Sequence, residues 1–105
     1  MRVISRRALR EFWDIHPRAK DSLAAWFRVI ERSKFADFNA IKGTFRAADY
    51  VAPYTIFDVG GNKFRIITAI YYNRERIYIR HVFTHPEYDR WSEEMRRQKR
   101  KRKGK

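Results

Sequence analysis

The sequence predicts an α+β domain, and three observations carry that prediction. In the first third, apolar residues recur every three or four positions, the repeat of a helix with one buried stripe. In the second half, three runs rich in β-branched and aromatic residues are separated by turn-forming clusters, the pattern of a small, mainly antiparallel sheet. The 105 residues are 44% hydrophobic and 16% aromatic, enough to fill one core and too short a chain for two.

In chain order, Met1–Ile4 can form a short strand, after which Ser5 stands where a helix N-cap is needed. Leu9, Phe12 and Trp13 then fall at helical spacing until His16-Pro17 interrupts, because the residue before proline disfavours the helical region. Ala19, Leu23, Trp26, Phe27 and Ile30 describe a second helix from Arg18 to about Ser33, whose stripe packs on a sheet. Asp37–Lys42 adds a helical turn. The strands are Tyr54–Val59, Phe64–Tyr71 and Arg76–Phe83, with turns at Gly60-Gly61 and Tyr72–Glu75. Gly-Gly supplies the positive φ angles of a hairpin, and the Walker pattern is absent, so this is a turn and not a phosphate loop. In RHVFTHPEYDRW the last strand gives way to a helix: Thr84 and Glu87, three apart, form a capping box. The final helix runs from His85 into a basic tail, giving a domain over residues 1–95 and a tail over 96–105.

Residues opposite each other in an antiparallel pair share a side of the sheet, so turn length sorts side chains into faces. A two-residue Gly60-Gly61 turn sets Ile56 opposite Arg65 and Asp58 opposite Lys63. A four-residue turn at 72–75 sets Ile67 opposite Arg80 and Arg65 opposite Val82. One face then holds Phe57, Val59, Phe64, Ile66, Ile70, Ile77, Ile79 and Phe83 as core. The other holds Asp58, Lys63, Arg65, Arg76 and Arg80 beside Tyr54, Tyr71 and Tyr78. His81 falls on the core face and reads as a packed ring; His16, at a helix end, reads as structural.

Net charge is +13, and Arg96–Lys105 carries eight of the 25 basic residues without an acid, leaving +5 on residues 1–95. A body and tail that are both basic favour polyanions, whose condensed counterions are released on binding. By itself the tail fits a solvated arm as well as a dedicated nucleic-acid contact. With no cysteine there is no disulfide and no thiolate metal site, and three scattered histidines make no zinc signature, so no metal or cofactor is expected. The opening residues are too polar for a signal peptide, and no run approaches the roughly 18 apolar residues of a membrane span; a cytoplasmic protein without membrane contact is expected.

A face carrying Lys63, Arg65 and Arg80, with His85 and Tyr88 just beyond, has the parts to attack an RNA phosphodiester. Lys63, Arg74 and Arg76 can hold phosphates. Arg65 is expected to hold phosphate as well, and the Arg80 fork to stabilise the added charge of a pentacoordinate phosphorus. The His85 imidazole can take a proton from a 2′-OH or give one to a departing 5′-oxygen, and the Tyr88 phenol can assist or stack on a base. No metal is required. The same face also describes a module that binds RNA without cutting it, and the residues alone leave the two even. A DNA-binding regulator is less well supported, since no helix-turn-helix with a basic recognition helix emerges.

The segments VISRRALREFW, the following HP, FDVGGNKFRIITAIYY and IRHVFTHPEYD resemble, in order and spacing over about residues 1–91, the HigB-type branch of the RelE-like toxins of bacterial toxin–antitoxin pairs. The resemblance implies a RelE-like fold with two N-terminal helices on a small sheet, and a C-terminal helix. It implies a metal-independent, ribosome-dependent mRNA endoribonuclease acting in the A site through the 2′-OH. Its cognate HigA-type antitoxin neutralises it, and operator DNA is bound only by the toxin–antitoxin complex. Carried over by position, the candidate catalytic residues are Arg65, Arg80, His85 and Tyr88, with Lys63 on phosphate; Asp89 is expected to partner a nearby Arg or backbone N–H. Two departures stand out: His81 replaces an aromatic or aliphatic residue frequent in relatives, and the tail runs past the family's motif. The competing expectation is a non-catalytic protein that blocks translation by occupying the ribosome.

Overall fold

The computed structural model describes residues 1–103. Strand β1 is Arg2–Ile4; helix α1, Arg6–Ile15, is followed by a 3-10 turn at Pro17–Ala19 and by α2, Lys20–Arg32. Helix α3 spans Phe38–Thr44, then come β2 (Asp49–Val51), β3 (Tyr54–Val59), β4 (Phe64–Tyr71), a 3-10 turn at Tyr72–Arg74, β5 (Arg76–Thr84) and α4 (His85–Lys103). The α+β class is as the sequence predicts. The five strands form one sheet in the order β1-β5-β4-β3-β2, antiparallel throughout except that β1 runs parallel to β5.

The helical stripes close one side of this sheet. Leu9 from α1, Leu23, Trp26 and Ile30 from α2, and Ile41 from α3 are buried against Phe57, Ile66 and Ile77. Trp26 and Phe45 both meet Phe57 edge-on, with ring centroids 5.2 and 5.1 Å away. Each such fully buried side chain contributes about 1.5–3 kcal/mol, so this layer is the main source of stability. Pro17 opens the 3-10 turn, where its missing N–H costs nothing. Asp37 caps α3 by accepting the Ala40 N–H at 2.9 Å. The Met1 ammonium donates to the Ile30 and Ser33 carbonyls at the negative end of α2, and Glu31 accepts the Val3 N–H at 2.8 Å. These contacts pin edge strand β1 to α2.

Three features differ from expectation. Strand β2 pairs Asp49 with Ile56 at the other edge; with three residues, two of them exposed, it has no alternation to betray it. The β3–β4 turn has four residues, Gly60 to Lys63, and not two, which sets Asp58 opposite Arg65 and Ile56 opposite Ile67. Gly60, Gly61 and Asn62 all have positive φ, and a Cβ on Gly60 would lie 2.9 Å from the Phe64 ring, so this reversal needs glycine there. Four and two are both even, so the faces survive.

The third difference changes faces. Thr68 pairs with Ile79 but Ile67 pairs with His81, leaving Arg80 as the extra residue of a β-bulge. Beyond it every β5 side chain is re-aimed. Val82, opposite Ile66, joins the core, while His81 and Phe83, expected there, lie opposite Ile67 and Arg65 on the other side. His81 is consequently exposed. Likewise Ile67 does not face Arg80, and Arg65 faces Phe83 and not Val82.

Helix α4 rests on this second side. Its Trp91 lies 5.7 Å from Tyr54 and 6.1 Å from both His81 and Phe83, side chains that flank the buried Ile56 and Ile67. The helix crosses the expected 95/96 boundary without a break as far as Lys103; positions 104 and 105 of the basic tail lie outside the described residues.

Candidate active site

The junction of β5 and α4 is fixed by local hydrogen bonds. The Thr84 N–H donates to Glu87 Oε1 at 2.8 Å and the Glu87 N–H to Thr84 Oγ1 at 3.4 Å, the reciprocal capping box. The bond from the Thr84 N–H holds the Glu87 carboxyl below the ordinary carboxylate range, against an opposing effect of burial. The next residue, His85, donates its backbone N–H to the Lys63 carbonyl at 2.9 Å and so ties the β3–β4 turn to the start of α4. One helical turn on, Asp89 Oδ2 lies 3.0 Å from His85 Nδ1. With Nδ1 donating to that carboxylate, Nε2 is the ring nitrogen not taken up by the pair.

Arg65 is the centre of this end. Its Nη1 donates to Asp58 Oδ1 at 3.0 Å and to the Asn62 carbonyl at 3.0 Å, with a longer contact to the Phe64 carbonyl at 3.4 Å. Both side chains of the Arg65–Asp58 pair are only 12% exposed. The guanidinium lies 5.2 Å from the centre of the Tyr88 ring, a cation–π contact that joins sheet to helix. Contacts thus link Arg65 to Tyr88, and Lys63 to His85.

The other candidates stand elsewhere. The Arg80 guanidinium lies 5.5 Å from the Tyr78 ring and, with Tyr71, Arg74 and Tyr78, lines a cavity of about 180 Å³. Arg76 opens β5 opposite Tyr71 and is exposed. On β4, Arg65 and Ala69 are four residues apart, about 13 Å at 3.3 Å per residue, and Ala69 is the partner of Tyr78. The candidate set is therefore split along one sheet face, with Lys63, Arg65, His85 and Tyr88 at one end and Arg74, Arg76 and Arg80 towards the other.

Residues 19–91 match the model of the HigB toxin family, described as the RelE-like toxic component of a toxin–antitoxin system. The chain belongs to that family. It is 32% identical over 92 residues to the mRNA interferase toxin HigB of Escherichia coli (strain K12), spanning 85% of this chain and 88% of that protein. Identity and coverage are the same for the mRNA interferase HigB of Shigella flexneri. The mRNA interferase HigB of Escherichia coli O6:H1 is 29% identical over 93 residues, covering 86% and 90% of the two chains. Within this HigB-family chain two of the stretches that carry the sequence resemblance, GGNKFR and THPEYD, meet at the Lys63–His85 hydrogen bond.

Three participants escape the sequence. Asp89 partners His85 and neither an Arg nor a backbone N–H; their spacing of four on a helix is the signal that points to it. Asp58 becomes the partner of Arg65 only once the turn has four residues. His81 stacks on Phe83 with centroids 5.0 Å apart and 11° between the rings. Partial burial, then the charge of Arg80, hold its pKa below the ordinary histidine value. Among the described residues no cluster of three or more His, Cys, Asp or Glu is placed to hold a metal ion, and no helix is long and apolar enough to cross a membrane.

Proposed function

We propose that this HigB-family toxin is an mRNA endoribonuclease that stops translation, with the Lys63–Arg65–His85–Tyr88 end of the sheet as its cleavage site. The family membership and the names of the relatives support the reaction; the His85–Asp89 pair beside the Lys63 turn is the observation that supports its location. His85 Nε2 takes the proton from a ribose 2′-OH. The freed oxygen attacks the adjacent phosphorus, the bond to the 5′-oxygen breaks, and the departing oxygen takes a proton from solvent water, leaving a cyclic 2′,3′-phosphate and a 5′-OH. Arg65, held by Asp58, faces the charge that builds on the phosphoryl oxygens, Lys63 neutralises phosphate, and Tyr88 backs the guanidinium or stacks on a base. None of these steps calls for a metal.

Arg80 sits against Tyr78, so in this reading it holds RNA beyond the reacting group, together with Arg74 and Arg76, and the transition-state charge falls to Arg65. The work takes place in the cytoplasm on mRNA in the ribosomal A site. A HigA-type antitoxin silences it, and operator DNA is met only as the pair. Primer extension on mRNA from induced cells tests the proposal: new 5′ ends are expected with the natural chain and none with His85→Ala. Growth arrest without new ends would instead establish blockade by occupancy.

A further inference from the structure

The far end of the sheet face carries a feature that cleavage does not use. Tyr71 is 46% exposed although it closes a strand, and its ring meets Tyr78 edge-on at 5.4 Å and 87°. Arg80 covers the Tyr78 ring from β5, and Arg74 reaches in from the 3-10 turn. The four side chains enclose about 180 Å³ without an acid among them. Glu75, next to Arg74 in the chain, is drawn to Lys34 at 3.7 Å, and among the described residues neither Arg74 nor Arg80 has a carboxylate partner. Two unneutralised guanidiniums beside an exposed aromatic face match one unit of a single-stranded polynucleotide: phosphate between the cations, unstacked base on the phenol.

We infer that Tyr71, Arg74, Tyr78 and Arg80 form a nucleotide subsite, separate from the cleavage end, that grips single-stranded RNA about four residues further along β4. The inference rests on the proposal that this toxin acts on RNA, and it assigns to Tyr71 a base and to Arg74 and Arg80 a phosphate. An RNA gripped at both ends lies along the face from the Lys63 turn to the Arg74 turn, crossing the exposed His81 edge.

The test is binding of a short, unstructured 2′-O-methyl oligoribonucleotide to the purified toxin, followed by fluorescence anisotropy over a range of salt. Tyr71→Leu should weaken binding roughly five-fold or more, the scale of one lost base–aromatic stack, and Tyr71→Phe should restore it. Arg74→Gln, an exposed turn position, should flatten the slope of log affinity against log salt by about 0.7, one phosphate contact fewer on a single strand. Natural-like affinity for Tyr71→Leu with an unaltered slope for Arg74→Gln overturns the subsite. So does a Tyr71→Leu variant that keeps its RNA affinity but loses affinity for the antitoxin. Primer extension is read separately: new 5′ ends with no Tyr71 effect sink the subsite alone, whereas weakened binding without new ends sinks cleavage alone.

Discussion

The two ends of the sheet face on which helix α4 rests are built on opposite principles. At the Lys63 end nearly every polar group has a fixed partner: Arg65 with Asp58 and a loop carbonyl, His85 with Asp89, Thr84 with Glu87. At the Tyr71 end the Arg80 guanidinium lies over the Tyr78 ring, and among the described residues neither it nor Arg74 has a carboxylate partner. On the proposed reading, the difference separates the demands of chemistry from those of grip. A group that must meet one atom at one angle is worth holding rigidly, because reaction rate falls steeply with small misplacement. A group that neutralises phosphate works through charge and tolerates freedom, so its value lies in having no competing carboxylate.

The sharpest way to break the contrast is His85→Ala, which should lower cleavage of ribosome-bound mRNA by roughly 10²–10⁴-fold, the usual worth of a positioned acid–base group. The melting temperature should hardly move, since the ring is exposed and, among the described residues, its polar partner is the surface residue Asp89. An equal loss on removing Arg80 would place the reacting group at the wrong end.

Arg65→Ala comes next and acts on the fold. It strands Asp58 in a largely buried position, and losing one partner of such a pair costs about 3 kcal/mol. Chemical denaturation should show that loss, and the double variant with Asp58→Ala should recover part of it.

Thr84→Ala should cost about 1 kcal/mol through the lost cap, or about 4 °C in melting temperature. The smallest effect concerns pH. Folding lowers the pKa of His81, so the unfolded chain binds the proton more readily; its contribution is complete above the ordinary value of about 6.5 and is lost as pH falls through the lower folded value. His81→Phe should flatten that part of the stability curve.

What could be read in advance follows from which rule governs each residue. The strands at 54–59 and 64–71 and the capping box are local patterns, and they stand where alternation and spacing place them. The side of the sheet on which Arg65 lies survived a misjudged turn because only the evenness of the turn enters. Arg80 could not be foreseen as a bulge: no glycine or proline marks it, and the extra residue follows from how β4 and β5 fit over the helical layer. That one residue moved Phe83 out of the core, brought Val82 in and turned His81 outwards. The pairing of His85 with Asp89 is legible in their spacing of four on the helix expected to start at His85, yet Asp89 is expected against an arginine or a backbone N–H, because spacing alone does not rank competing partners.

The parallel pairing of β1 with β5 has a temporal side. Arg2 pairs with Arg76, so β1 completes its place in the sheet only after the three helices and strands β2 to β4 have been made and β5 has followed. The residues of the Lys63 end come from the end of β3, the turn after it, β4, the end of β5 and the first turns of α4, all made after the helical layer. A toxin of this family thus lays down its packed helices first and brings the proposed cleavage residues together around them afterwards.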